Sequence, residues 1–363
     1  MKARIKKTFK EVCGIIGVTG REQDVIRHLR DLFTPLADEI KVTPIGNLIA
    51  TKRGKGNGPR LMLCAHADEI GLVVKSILSS GFIIYERVGV VPNKLLVARH
   101  VTLQGEKGPI QGVIGMKPGH LQTPEEATKV GTSKQSFIDV GATSKEEVLE
   151  MGIRIGTRAV FTCDIVEMHN PDIIATRSVD DRINCAILVE LFRELQSVDF
   201  DGEVCAVIST QEEMILNSSA SAVFNVEPDY AIALDTIPAG DTPDIPTDIL
   251  LPVKIGNGPA CPLADGAIAF YHFAQKAVVD MIESCAKKEK INLQFLTLVE
   301  DMYATDAASM AHAWKGVPTA VIAIPRRYSH SPVELCNIND AVDSLKLLKR
   351  MVQENGKHSL DFI

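Results

Sequence analysis

The chain has 363 residues, 45% of them hydrophobic and 23% charged, with a formal net charge of −7. That length exceeds one simple core, so two domains are expected. The acidic balance argues against a nucleic-acid binder, which needs a basic footprint. No apolar run approaches the about 18–20 residues of a membrane helix, so no membrane partner is expected.

Residues 3–15 and 21–36 carry helical apolar spacing, broken at Gly17-Val18-Thr19-Gly20. The basic stretch Met1–Lys10 reads as part of the first helix rather than as a signal peptide. Strands follow near 39–43 and 47–52, then a Gly-rich turn at 54–59, then the run Leu61–Ala65. From 71 to 175 the texture changes to short β-like runs separated by turns, the pattern of a small β domain or barrel. After 176 strands and helices alternate again. Helices are expected at 182–198, 267–289 and 338–354, and strands at 203–209, 229–235, 292–297 and 318–324. The reading is an α/β domain discontinuous in sequence, 1–70 plus 176–363, with residues 71–175 inserted as a β domain. The eight cysteines show no Cys-x-x-Cys spacing, and Cys64, Cys185 and Cys205 lie inside apolar runs. Buried reduced thiols in a cytoplasmic protein are the expectation.

Most of the apolar strands run into a possible metal ligand. Leu61–Ala65 meets His66-Ala67-Asp68, Val204–Ile208 leads to Glu212-Glu213, and Tyr230–Leu234 meets Asp235. Asp180-Asp181 opens a helical stretch, and Thr319–Pro325 leads to His330. Ligands in open α/β sheets sit outside the carboxyl ends of strands. A lone Glu pair there is ordinarily a solvated helix start. A lone His-x-Asp is ordinarily a satisfied loop pair. Five such clusters are better explained by one shared site. Two imidazoles and three carboxylates (His66, Asp180, Glu213, Asp235, His330) suit a pair of divalent cations such as Zn²⁺, Co²⁺ or Mn²⁺, with one carboxylate shared. Glu212 is left over as general base, and Asp68 is placed to orient His66. The other histidines lack this context and read as structural or surface residues.

In this order the clusters resemble the tetrahedral, FrvX-like aminopeptidases of the dinuclear-zinc exopeptidase superfamily. The resemblance also rests on Gly17-Val18-Thr19-Gly20-Arg21-Glu22, Gly46-Asn47-Leu48, Asp139-Val140-Gly141-Ala142, Thr305-Asp306-Ala307 and Arg327-Tyr328-Ser329-His330-Ser331-Pro332-Val333-Glu334. It implies the phosphorylase/hydrolase-like α/β sandwich of the zinc exopeptidases with an inserted small β-barrel. It implies that Asp180 bridges two metals, followed by a strained cis peptide to Asp181. His66 and Asp235 then complete one metal site and Glu213 and His330 the other, with Glu212 as base. It further implies peptide substrates and self-association, as a dodecamer or a dimer, through the insert. Three departures stand out. Met214–Ala220 replaces a Gly-x-Arg-Gly-Ala type segment, Asn184 stands where Gly is favoured, and Ala308 follows Thr305-Asp306-Ala307. The expected activity is a metal-dependent aminopeptidase. The alternatives are a deacylase or amidase using the same metals, or a catalytically silent assembly protein. Glycan hydrolysis is disfavoured, because the ligand set is not a carboxylate pair flanking a glycosidic bond.

Overall fold

The computed structural model describes residues 1–215, 217–267, 270–300 and 303–362. The chain opens with helices Lys2–Cys13 and Gln23–Phe33, then strands β1 (Glu39–Val42), β2 (Leu48–Arg53) and β3 (Lys55–His66). Six strands follow: β4 (Gly71–Ile77), β5 (Ile83–Val88), β6 (His100–Gly105), β7 (Gly108–Met116), β8 (Ser136–Asp139) and β9 (Arg158–Phe161). They close into a barrel in the order β4-β5-β8-β7-β6-β9. Its interior is filled by Leu72, Val74, Tyr85, Val101, Leu103, Ile114, Ile138 and Phe161.

The remaining strands are β10 (Val166–Glu167), β11 (Ile173–Thr176), β12 (Asp201–Ser209), β13 (Tyr230–Pro238), β14 (Ala260–Ala267), β15 (Phe270–Phe273), β16 (Gln294–Leu298), β17 (Thr319–Arg327) and β18 (Glu334–Asn337). With the first three they form a twelve-stranded sheet, ordered β1-β2-β12-β3-β13-β17-β18-β11-β10, to which β14 attaches with β15 and β16. The central strands β12, β3, β13 and β17 run parallel, so their carboxyl ends meet at one edge.

Both faces of the centre are covered, and the sequence shows why. Side chains alternate across a strand. Leu61, Leu63 and Ala65 enter one core, while Met62 and Cys64 enter the other. Val204, Ala206 and Ile208 likewise face opposite to Cys205 and Val207. An unbroken apolar run is therefore needed, since neither face meets water. The first core packs under helices Lys2–Cys13, Gln23–Phe33, Val179–Glu194, Lys276–Glu289 and Ile338–Gln353. The second packs under Ser218–Val226 and Asp306–Ala311.

Two elements differ from the sequence-based expectation. The helix expected over 267–289 begins at Lys276; before it Phe270–Phe273 pairs antiparallel with Ala264–Ala267 as a hairpin. Ile268 and Ala269 lie outside the described residues. Pro262 and Gly266 disguise β14, because both residues are normally depleted in strands. The chain also rejoins the large sheet at Val166, ahead of residue 176, because Val166–Glu167 and Ile173–Thr176 pair at its edge. Short edge strands look alike in sequence whichever sheet they join. Among the described residues, no helix is long and apolar enough to cross a membrane.

The helix Val179–Glu194 carries the Asp180-Asp181 pair at its start and is anchored by Phe192, fully buried edge-to-face on Phe33 with ring centroids 5.2 Å apart. Phe192→Ala should cost about 3–5 kcal/mol, read as a lower urea midpoint at unchanged slope. A loss below about 1 kcal/mol would mean that the core closes over the gap.

Candidate metal centre

Every candidate ligand sits in the carboxyl-terminal half of a parallel strand or just beyond it, or at the start of the helix facing those ends. His66 ends β3, and Asp235 lies within β13. Glu212 and Glu213 begin the short helix Glu212–Ile215 after β12, and His330 lies in the turn after β17. Asp180 enters from Val179–Glu194, where the backbone is not helical: Ser178 is left-handed at φ 50°, and the Asp180–Asp181 peptide bond is cis.

His66 Nε2 lies 3.1 Å from Asp180 Oδ1 and 3.9 Å from Glu212 Oε2. His330 Nε2 lies 3.5 Å from Asp180 Oδ2 and 3.4 Å from Glu213 Oε2. Two donor groups have atoms mutually within 4.8 Å: His66, Asp180 and Glu213, and Asp180, Asp181 and Asp235. Asp180 belongs to both. All these carboxylates are buried, whereas the His330 side chain is 29% exposed and marks the open side.

Hydrogen bonds hold this arrangement from behind. Asp68 is fully buried. It accepts the Glu212 and Glu213 backbone N–H groups at 3.0 and 3.2 Å and the Thr19 hydroxyl at 2.8 Å. Its backbone carbonyl lies 3.2 Å from His66 Nδ1, which turns Nε2 towards Asp180. Asp181 accepts the His66 N–H at 3.3 Å and the Asn184 amide at 2.6 Å. Asn184 also donates to the Asp235 carbonyl at 2.7 Å. The residue standing in place of glycine thus ties the helix start to β13. In the segment after Glu213, the Ser218 hydroxyl donates to Asn47 Oδ1, and Asn47 Nδ2 donates to the Ser218 carbonyl at 2.8 Å. Leu216 lies outside the described residues.

The electrostatics follow from burial. Burial disfavours the Asp180 anion, but Arg326, His330 and His66 overcome it and hold its pKa well below the ordinary carboxylate range. Burial first, and carboxylate repulsion after it, push Asp181, Glu212 and Asp235 well above that range despite His66. Glu213 is raised to about 7, chiefly by burial. Burial lowers His330, yet Glu213 and Asp180 prevail and raise it to about 9. Isolated ionised carboxylates are not stably buried. This donor set therefore fits divalent cations, which would supply the missing positive charge.

Several residues here escape the sequence reading. Arg326 is 2% exposed, forms an ion pair with Asp180 Oδ2 at 2.6 Å and donates to Glu334. Glu334 also accepts the Asp180 and His330 backbone N–H groups at 3.1 and 3.0 Å. Tyr303 donates to the Thr236 carbonyl at 2.5 Å, beside Asp235. An arginine at the end of an apolar strand is the one signal that could have exposed Arg326. Of the remaining histidines, His272 is buried against Asp265 at 3.0 Å, away from the cluster.

The family model for the M42 glutamyl aminopeptidases matches residues 46–347. A putative aminopeptidase of Acetivibrio thermocellus is 34% identical over 340 residues, 94% of this chain and 96% of that protein. The structure of aminopeptidase APDkam598 from Desulfurococcus kamchatkensis superposes with a TM-score of 0.91 at 31% identity, covering 97% of this chain and 95% of that one. The Pyrococcus horikoshii TET1 peptidase, described as assembling into a tetrahedron or a large octahedral shell, superposes with a TM-score of 0.83 at 30% identity, covering 98% and 100%.

The pKa shifts predict how the metal-free protein responds to pH. Glu213 and His330 are both raised above their ordinary values of 4.5 and 6.5, to about 7 and about 9. Each contributes stability that is complete below the ordinary value and lost as pH rises through the raised one. Asp181, Glu212 and Asp235 shift in the same direction. The melting temperature of metal-stripped protein should therefore fall between about pH 5 and pH 9, and saturating divalent metal should flatten the slope. A flat or rising profile without metal would contradict the reading.

Proposed function

This chain belongs to the M42 glutamyl aminopeptidase family, and on that footing we propose that it removes N-terminal residues from peptides with a pair of divalent metal ions. The observation that carries the reading is the convergence of His66, Asp180, Glu213, Asp235 and His330 around one shared carboxylate, with Glu212 beside them. His66, Asp180 and Asp235 would hold one ion, and Asp180, Glu213 and His330 the other; zinc, cobalt and manganese all suit these donors. When bound, such ions polarise a scissile carbonyl and acidify water.

The protein's own groups do the rest. Glu212 sits in a buried setting that raises its proton affinity. It takes a proton from the attacking water and passes it to the departing amine, as a general base followed by a general acid. Asp68 fixes the His66 ring on one side and the Glu212 backbone on the other, so base and ligand are held by one carboxylate. The peptide reaches this centre from the His330 side, where burial is least complete.

We also read the barrel as an assembly module in a cytoplasmic protein. It contributes none of the site residues. It carries large exposed apolar side chains, among them Val90, Val113, Leu121, Val130 and Ile155. Such surface calls for a partner, and closed self-association is the usual solution for copies of one chain. The dodecamer described for the related archaeal TET1 peptidase supports a dodecamer here, with a dimer as the smaller alternative. Native mass spectrometry should show one of these; a monomer with metal bound would reject the assignment.

Glu212→Gln should reduce turnover of aminoacyl chromogenic amides by ~10²–10⁴-fold while metal content stays near wild type. Asp180→Ala should lose most of both ions by elemental analysis after desalting. If Glu212→Gln sheds metal while Glu213→Gln keeps it, the two roles are exchanged.

A further inference from the structure

Arg326 is a charged residue at a core position. Alternation along β17 puts it on the same face as Ile322 and Ile324, which pack in the first core beneath the helix Val179–Glu194. It is 2% exposed. Its strand is paired on both sides at this point, with Pro238 of β13 and Cys336 of β18 opposite it. One end of the guanidinium is held by Glu334, which also accepts the Asp180 and His330 backbone N–H groups at 3.1 and 3.0 Å. The other end is ion-paired with Asp180 Oδ2 at 2.6 Å. The cation is therefore built into the same scaffold that fixes the ligands.

Its placement divides the shared carboxylate unequally. Asp180 Oδ1 faces His66 Nε2 at 3.1 Å. Asp180 Oδ2 faces His330 Nε2 at 3.5 Å and is already ion-paired with Arg326, while Glu213 Oε2 lies 3.4 Å from that same nitrogen. Guanidinium cannot be deprotonated in a protein. A divalent ion held by Glu213 and His330 would lie close to this fixed positive charge in a desolvated setting, where like charges repel strongly. An ion held by His66 and Asp235 would lie on the Oδ1 side of Asp180, away from the guanidinium.

We propose that Arg326 makes the two metal positions unequal: the His66–Asp235 position fills first and tightly, and the Glu213–His330 position fills second and weakly. The proposal rests on the dinuclear reading given above. In it Arg326 is a positioning residue that partly neutralises Asp180 before metal arrives. It thereby sets the order of loading and makes one ion the exchangeable one.

The test is calorimetric titration of metal-stripped full-length protein with Co²⁺, with bound metal counted by elemental analysis after desalting. Wild type should show two steps separated by ~10-fold or more in affinity. Arg326→Met should tighten the second step and narrow the gap. Glu213→Gln should abolish the weak step and leave the tight one, whereas Asp235→Asn should remove the tight one. This ligand pair decides the matter even if Arg326→Met fails to fold, as Glu334 would then be buried without its partner. Equal affinities in wild type, an unchanged gap in Arg326→Met, or loss of the tight step in Glu213→Gln would each overturn the role given to Arg326 and leave the dinuclear reading intact. Failure of both wild type and Arg326→Met to take a second equivalent at saturating Co²⁺ would overturn the dinuclear reading itself.

Discussion

The structure is organised around a buried excess of negative charge. Asp68, Asp180, Asp181, Glu212, Asp235, Asp306 and Glu334 are each under a tenth exposed and lie at one edge of the sheet, where Arg326 is the permanent cation placed among them. Such a cluster is unstable on its own, and the upward shifts of Glu212, Asp235 and Asp181 express that instability. The fold tolerates it by giving the anions backbone donors. Asp68 takes two N–H groups from the Glu212–Glu213 turn, and Glu334 takes those of Asp180 and His330. Cations of higher charge would complete what an arginine does only in part.

The same arrangement explains why the site is assembled from segments so distant in sequence. Parallel strands align their carboxyl ends, and each strand can contribute only the residue or two at its tip. Asp180 is the exception, because it comes from a helix start. Two residues before it Ser178 is left-handed at φ 50°, and Asp180 itself departs from helical geometry. The barrel leaves the chain directly after His66-Ala67-Asp68-Glu69. Glu69 itself is clamped by Arg177 and Arg182, whose strand and helix follow the barrel. The two crossings between barrel and sheet are thus locked to each other beside the site. The insertion lengthens the chain there without loosening the ligands.

Much of this was legible in the sequence because it rests on periodicity and on strand ends. The runs that became β3, β12, β13 and β17 are continuous and apolar for a physical reason, burial on both faces, and each stops near its ligand. The meeting of the five candidate clusters at one edge of the sheet is what that rule predicts. What stayed hidden depends on partners that spacing does not reveal. The β14–β15 hairpin contains Pro262 and Gly266, and its stability comes from pairing with β16 and β17 rather than from propensity. Arg326 looks like one member of an Arg-Arg pair, and only the pleat decides that it faces inward while Arg327 reaches Asp241. Asn184 looks like a helix-interior polar residue until its two acceptors, Asp181 and the Asp235 carbonyl, are seen.

The segment that departs most from the expected pattern shows how such a site survives sequence change. A carboxylate such as Glu212, whose ionised form is disfavoured by burial, would move towards water unless its backbone were fixed. Here the turn before it is held from three sides. Thr210 N–H donates to Asn47 Oδ1 at 3.1 Å, with Ser218 bonded to the same asparagine. Gln211, at φ +62°, donates its N–H to the buried Glu22 at 3.1 Å. Glu212 and Glu213 donate theirs to Asp68. The motif Gly46-Asn47-Leu48 and the departing residue Ser218 therefore belong to one device. Its function requires a hydrogen-bonding partner for Asn47, not a particular residue after Glu213. A buried carboxylate needs support of this kind more than it needs any one neighbour, so the departure at 214–220 leaves the Glu212 backbone held through the Ser218–Asn47 pair.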